Sequence, residues 1–464
     1  MPWQETENGT FSRPLGESEA FLKLIGDSGH VLQRENWAVN TTATIIPRGT
    51  VTKADIADRL RHAWIHLRFQ QPSIAAVVSS DITRVVYIAP PSNESLKKWV
   101  RETFMVMSDS RSAGEVVASM TVQPTQYARL YYIPQSDELL YNTAHWRSDG
   151  VGTFLLLDLL LQLAFAPDLG DPFHLPWGEE GGRLAPTVED AIAINLTTPA
   201  TLTAAQKALV ERNACSFELT QGAVGIPYNG DSTTLPTGTS SARTTLSSDT
   251  TEKIVQACKK RGGSVTSAVH ASIASVNYAM RLQHHRGREY ASSVRFNLRP
   301  YLPEVFNTST YASGLYSTAW MFQMPPDADW DTYCRTCQQR YRAGITATYL
   351  ASHREFARTV ADMMRTPPRS QGEPPSDVDI SSIGVVDKWV RPVHGDAECG
   401  CEVRAVSIGV EMLTRQGACF VWTFRGQLNL SIVYNESFHS MGQMEEFAEK
   451  VKGVLLRELD IQDS

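Results

Sequence analysis

The chain lacks a basic excess. Its 464 residues carry 43 Lys and Arg against 50 Asp and Glu, a formal charge of −7 at pH 7. Binding along a phosphate backbone needs a basic face, so this balance argues against nucleic acid as the main partner. A long apolar run is also missing. The most apolar stretch, residues 154–166, is broken by Asp158 and Gln162 and falls short of the roughly 20 residues that span a bilayer. It predicts a buried helix and no membrane span. The opening residues, Met1 to Asn8, hold neither the basic cluster nor the apolar core of a secretory signal, and a cytoplasmic location is expected. Cysteine is sparse: seven residues, an odd number, widely scattered. Free thiols in a reducing compartment are expected rather than a disulfide framework. The sequons at Asn8 and Asn435 then carry no weight. No G-x-S-x-G elbow and no P-loop are present, which leaves serine-hydrolase and phosphate-transfer chemistry without support. No internal repeat is visible.

What is there reads as an ordinary globular composition, 42% hydrophobic and 20% charged, which excludes a disordered chain, a collagen-like fibre and a long coiled coil. At about 150 residues per domain the length suggests two or three domains, or one two-lobed body. Residues 53–70 repeat Ile56, Leu60, Ala63, Trp64 and Leu67 at helical spacing behind a Thr52 cap. Strands are expected over 75–79 and 85–89, and a helix over 92–107. Strands over 126–133 and 138–144 follow, joined by a turn, and then a helix over about 152–165. Residues 220–250 are rich in Gly, Ser, Thr and Pro and read as a long exposed connection. Beyond them come helices over 251–261 and 264–281, strands over 294–299 and 315–324, and a mostly helical stretch over 327–364. A polar loop over 367–377 leads to strands over 380–386, 403–410, 419–425 and 427–434, and a closing helix over 441–457. Both halves mix helix and strand. The division expected is an N-terminal lobe, 1–219, a crossover, 220–250, and a C-terminal lobe, 251–464, with a ligand-binding cleft between the lobes.

The stretch with chemical content is His145-Trp146-Arg147-Ser148-Asp149-Gly150. A strand ends in an imidazole, the natural general base near neutral pH. An Asp follows four residues later, able to organise the turn by pairing with a cation elsewhere. A Gly then permits backbone that other residues resist. A lone His-x-x-x-Asp is more often a loop histidine beside a helix cap; the strand-turn-helix setting is what favours a site.

These residues are similar to the HxxxDG motif of the acyltransferase superfamily that holds chloramphenicol acetyltransferase, the plant BAHD enzymes and the condensation domains of peptide synthetases. Asn297-Leu298-Arg299-Pro300-Tyr301-Leu302 resembles its Arg-bearing segment, and Ser381-Ser382-Ile383-Gly384 its Ser-x-x-Gly segment. The ending from Gly426 to Glu436 is also family-like. Arg13-Pro14-Leu15-Gly16 and Pro176-Trp177-Gly178-Glu179 resemble the fungal branch containing trichothecene 15-O-acetyltransferase. The Asp-Phe-Gly-Trp-Gly box of the plant enzymes is absent; its place reads Val385-Val386-Asp387-Lys388-Trp389-Val390. Ala144 stands where condensation domains carry a first His, which favours a stand-alone transferase.

The resemblance implies an α/β fold of two chloramphenicol-acetyltransferase-like lobes, mixed sheet plus helices, with an active-site tunnel between them. It implies O-acyl transfer, acetyl transfer first of all, from acyl-CoA as co-substrate to a hydroxyl of a small secondary metabolite such as a terpenoid or polyketide. His145 would be the general base in a ternary complex. Asp149, Gly150 and Arg299 would support the site, Asp149 pairing with Arg299 across the lobe boundary. Ser381, Ser382, Trp146 and Asn297 are candidates for tunnel or substrate contacts. No bound cofactor and no metal are expected, and a monomer suffices for one tunnel. Two alternatives stay open: a carrier-bound acyl donor with amide formation or cyclisation, and a binding protein without catalysis.

Rival signals are weaker. Cys334, Cys337, Cys399 and Cys401 could form a four-thiolate zinc site, but the spacing is poor for one. Lys259-Lys260-Arg261-Gly262-Gly263 reads as a helix end rather than a phosphate contact. His270 reads as core, and His284 and His285 as an exposed turn.

Overall fold

The computed structural model describes residues 2–121, 127–192, 202–219, 223–366 and 373–462. The chain forms two compact units, and neither is contiguous. One comprises Met1–Asn195, Asn297–Ser317 and Asp387–Glu411. The other comprises Leu196–Phe296, Thr318–Val386 and Met412–Ser464. Compactness thus divides the chain differently from its order at 219 and 251.

The first unit is built on a six-stranded sheet, Val393–Gly395, Cys399–Val410, Val39–Gly49, Glu138–Thr143, Arg129–Ile133 and Phe104–Val106, in that spatial order. The last pair is parallel and the others antiparallel. Helices Lys53–Gln70 and Gly150–Ala164 pack together. The second is apolar nearly all round, so it is buried nearly all round, as its sequence requires. A smaller antiparallel sheet joins Gln4–Glu7, Thr10–Pro14, Arg84–Ile88 and Val77–Val78.

The second unit has a four-stranded sheet, Val378–Val385, Gly417–Phe424, Gln427–Asn435 and Thr239–Thr245, whose first pair is parallel. Helices Val265–Ala279 and Met441–Glu458 contribute Ile273, Val276, Phe447 and Val451 to its core.

The periodic elements fall within a few residues of expectation. Three of the expected elements differ. The helix expected over 92–107 ends at Thr103, because Phe104–Val106 pairs with Leu130–Tyr132 as a strand. The helical stretch over 327–364 is two helices, Trp330–Ala343 and Ala347–Arg365, parted at Gly344, whose φ of +57° suits glycine. The connection over 220–250 is not a free linker. Val224 and Ile226 are core residues, and Thr239–Thr245 is a sheet strand with Ala242 and Thr244 turned inward. Residues 220–222, 367–372 and Gln126 lie outside the described residues. Among those described, no helix is long and apolar enough to cross a membrane.

Candidate active site

The motif occupies the turn between strand Glu138–Thr143 and helix Gly150–Ala164. The Arg147 amide closes the turn on the Ala144 carbonyl at 3.1 Å. His145 is half-buried on it. Asp149 is the helix N-cap and accepts from the Gly152 amide at 2.9 Å.

Asp149 does more than cap. Its Oδ1 and Oδ2 lie 2.8 and 3.0 Å from Nη1 of Arg299, and Oδ2 accepts the Tyr316 amide at 2.6 Å. Both side chains are buried, Asp149 at 2% and Arg299 at 1% exposure. Arg299 is held further by the Gly314 carbonyl at 3.3 Å and the Asn297 Oδ1 at 3.2 Å, and lies 5.1 Å over the Tyr316 ring. Burial pushes the Tyr316 phenol far up, and its hydroxyl donates to the Pro186 carbonyl at 2.9 Å. The expected pair therefore forms, but inside one compact unit, because Asn297–Ser317 belongs with the motif and not with the residues that flank it in sequence.

Gly152 was not singled out by the sequence. A methyl group there would stand 2.3 Å from the Ala312 carbonyl oxygen and 3.0 Å from Nη2 of Arg299. The segment crosses the helix start so closely that only glycine fits. Ser148, also buried, donates to the same carbonyl at 3.5 Å.

The other candidates fall as follows. Trp146 is buried, with the Arg147 guanidinium 4.5 Å over its ring. Arg147 donates to Thr143 Oγ1 at 3.0 Å and to the Ala76 carbonyl at 2.9 Å, and burial brings its pKa down to about 10. The Asn297 amide oxygen is taken by the Arg299 amide and guanidinium, so this residue also serves the ion pair. Ser381 and Ser382 are half-buried on strand Val378–Val385 of the second unit, where the Ser382 hydroxyl meets that of Thr266 at 3.0 Å.

Cys334 and Cys337 lie on a helix of the second unit, and Cys399 and Cys401 on a strand of the first. Among the described residues, the groups with ligand-like spacing are His284, His285 with Glu373, and Asp27, His30 with Glu35. His285 is buried, against the exposed turn expected. Its Nδ1 accepts the Gly225 amide at 2.9 Å, so Nε2 carries the hydrogen given to Glu373 at 2.7 Å and offers no lone pair to a metal. In the other group Lys23 pairs with Asp27 and His30 with Glu35, which balances the charges from within. The basic patch at 259–261 ends helix Ser248–Lys260, followed by Gly262 at φ +67°. His270 is core, hydrogen-bonded to Ser292 Oγ at 2.7 Å.

Several known proteins are similar to this chain. The acetyltransferase pigO of Monascus ruber is 40% identical over 464 residues, 100% of this chain and 99% of its own. The O-acetyltransferase pigM of the same fungus is 29% identical over 468 residues, 100% of this chain and 88% of its own. The solved structure of TRI3, the trichothecene 15-O-acetyltransferase of Fusarium sporotrichioides, matches with a TM-score of 0.83 at 17% identity. It covers 98% of this chain and 97% of that one. At that identity it shows the fold alone, the mixed α/β fold expected, shared with condensation domains. No family model matches.

Proposed function

The chain belongs to the family of fungal acetyltransferases that includes pigO, and on that premise we propose that it moves an acyl group from acyl-CoA to a hydroxyl of a small secondary metabolite, with His145 as the general base. Acetyl-CoA is the expected donor, and a terpenoid or polyketide alcohol the expected acceptor class.

One observation carries the role of His145. The carboxylate of the motif is fully engaged, by Gly152, Arg299 and the Tyr316 amide, and it is buried. A carboxylate whose acceptor positions are taken by fixed donors holds structure and has little left for proton transfer. The group of this turn able to take a proton near neutral pH is then His145, which keeps some exposure.

The step balances simply. His145 takes the acceptor's hydroxyl proton as the oxygen attacks the thioester carbonyl, forming the new C–O bond. The tetrahedral intermediate collapses, the C–S bond breaks, and His145 returns the proton to the departing CoA thiolate. No covalent acyl-enzyme is required. General-base help of this kind is worth ~10²–10⁴ in rate, and holding the two reactants in place contributes more.

The test begins with acetyl-CoA and CoA in a thermal shift, which needs no knowledge of the acceptor. At ~100 times its dissociation constant a ligand adds about 2.7 kcal/mol of stability. Thiol release from acetyl-CoA, followed with a panel of alcohols, then reads turnover. His145→Ala is expected to keep the CoA shift and to lose thiol release by ~10²-fold or more. Turnover at the wild-type rate would remove His145 from the mechanism. A flat melting temperature at millimolar CoA would move the donor to a carrier-bound thioester.

A further inference from the structure

Between helix Lys53–Gln70 and strand Val77–Val78 the chain makes a short buried link, Gln71 to Ala76. Its ends reach the motif from two sides. At one end the Ala76 carbonyl accepts from Arg147, two residues after His145. At the other, the Gln71 side chain is buried, at 3% exposure, against the turn 309–313. Its Nε2 donates to the Ser309 carbonyl at 2.7 Å and the Thr310 carbonyl at 3.1 Å. Its Oε1 accepts from the amide and hydroxyl of Ser313 at 3.4 and 3.3 Å. This turn carries Ala312, whose carbonyl bears on Gly152 and Ser148, and it leads into Tyr316, whose amide binds Asp149. The link is itself anchored, Ser73 Oγ accepting from the Ala185 amide at 2.9 Å and the Ile74 carbonyl from Ala128 at 3.0 Å.

We infer that Gln71 is a positioning residue for the catalytic turn. Its amide clamps the 309–313 turn, and that turn sets where Ser148, Asp149 and Gly152 stand and so where His145 is presented. The inference rests on the reading of His145 given above. A glutamine suits the task for a specific reason. Two backbone carbonyls on one side call for a donor pair, and an amide and a hydroxyl on the other call for an acceptor, all from one flat group. Losing it strips the turn of its side-chain anchor: the Ser309 carbonyl keeps only the Ala312 amide at 3.2 Å, the Thr310 carbonyl loses this donor, and the Ser313 amide and hydroxyl, which are buried, lose their acceptor.

Three variants of the full chain test this, with acetyl-CoA thiol release as the kinetic probe and hydrogen exchange as the second readout. In Q71M, which keeps length and removes every polar contact, kcat is expected to fall about 10- to 100-fold, as for a small misplacement of a reacting group. KM for acetyl-CoA should stay near its wild-type value. Amide exchange should quicken both over 309–316 and over 147–153. In Q71E a carboxylate oxygen faces the two carbonyls, so its kcat should fall below that of Q71M although its shape is closer to glutamine. Exchange unchanged over 147–153, or Q71E as active as wild type, would overturn the inference. If Q71M does not fold, Q71E and Q71N, read the same way, decide it. Failure of the underlying reading looks different: H145A would turn over normally whatever the exchange of the Gln71 variants, and exchange alone would then judge the clamp.

Discussion

At the scale of single residues, the decisive object is the Asp149–Arg299 pair. Removing water from both charges is costly, and only good geometry offsets it. Here both carboxylate oxygens face the guanidinium, and backbone amides satisfy what remains. Such a pair is most costly when half of it is removed. R299M is expected to lower unfolding stability by ~3–5 kcal/mol, because Asp149 is left as a buried uncompensated charge. D149N should cost less, since an amide oxygen still caps the helix. The double variant D149N/R299M should be clearly more stable than the sum of the single losses implies, a coupling that urea unfolding of the four proteins measures. Additive losses would mean the two side chains act independently. Six consecutive residues made the motif legible, since strand end, base, carboxylate and helix start lie side by side. Arg299 was legible through family resemblance alone, its partner being 150 positions away. Gly152 and Gln71 carried no signal, because their importance comes from a distant segment passing over them. His285 was misread for the same reason: its burial depends on Gly225 and Glu373.

At the scale of elements, the amphipathic and buried helices announced themselves through periodicity, and the hydrophobic strands through β-branched runs. Thr239–Thr245 did not: it is so rich in Thr and Ser that it reads as part of a linker. Threonine is β-branched and comfortable in a sheet, but it gives no contrast between faces. The elements of the second unit are also tied by buried polar groups that set a pH response. Helix Val265–Ala279 brings His270 to Ser292 of strand Tyr290–Asn297, and Ser292 in turn donates to Asp379 on strand Val378–Val385. Burial takes His270 down to about 4. Its neutral form is favoured in the fold, so its contribution is complete above the ordinary histidine range and is lost as pH falls toward 4. Asp377, just before the same strand, behaves oppositely. Burial, and then the charge of Asp379, push its carboxyl up to about 7. Its protonated form is favoured, so its contribution is complete below the ordinary carboxylate range and is lost as pH rises through about 7. D377N keeps an acceptor for Gln416, which donates to Asp377 at 2.9 Å, and removes the titration. Its stability relative to wild type should therefore improve steadily from about pH 5 to about pH 8, read as urea midpoints across that range. Parallel curves would show that Asp377 stays charged in the fold.

At the scale of the whole molecule, the two units exchange chain. The first takes back Asn297–Ser317 and Asp387–Glu411 after the second has begun. This was hidden in the sequence because chain order and composition both pointed to a cut in the Thr- and Gly-rich stretch 220–250. The returned pieces are central. Cys399–Val410 pairs with Val39–Gly49 along its full length, in the interior of the six-stranded sheet. Arg299 and the Tyr316 amide complete the surroundings of Asp149. A fragment spanning residues 1–250 would hold the whole motif yet leave one edge of Val39–Gly49 unpaired and Asp149 buried without its cation. Unpaired strand edges and uncompensated charge are both poorly tolerated. Such a fragment is expected to show no cooperative thermal transition by circular dichroism and to aggregate, whereas the full chain melts sharply. A fragment that melted cooperatively would mean that the strand and the cation arriving late in the chain are dispensable. The same logic bears on folding order. The Glu138–Thr143 strand that feeds the His145 turn pairs with one edge of Val39–Gly49, and the other edge of Val39–Gly49 is covered by the late-arriving strand Cys399–Val410. Long-range closure of this kind is slow, so in refolding experiments recovery of thiol release should trail the return of helical signal, and simultaneous recovery would place the site's assembly early instead.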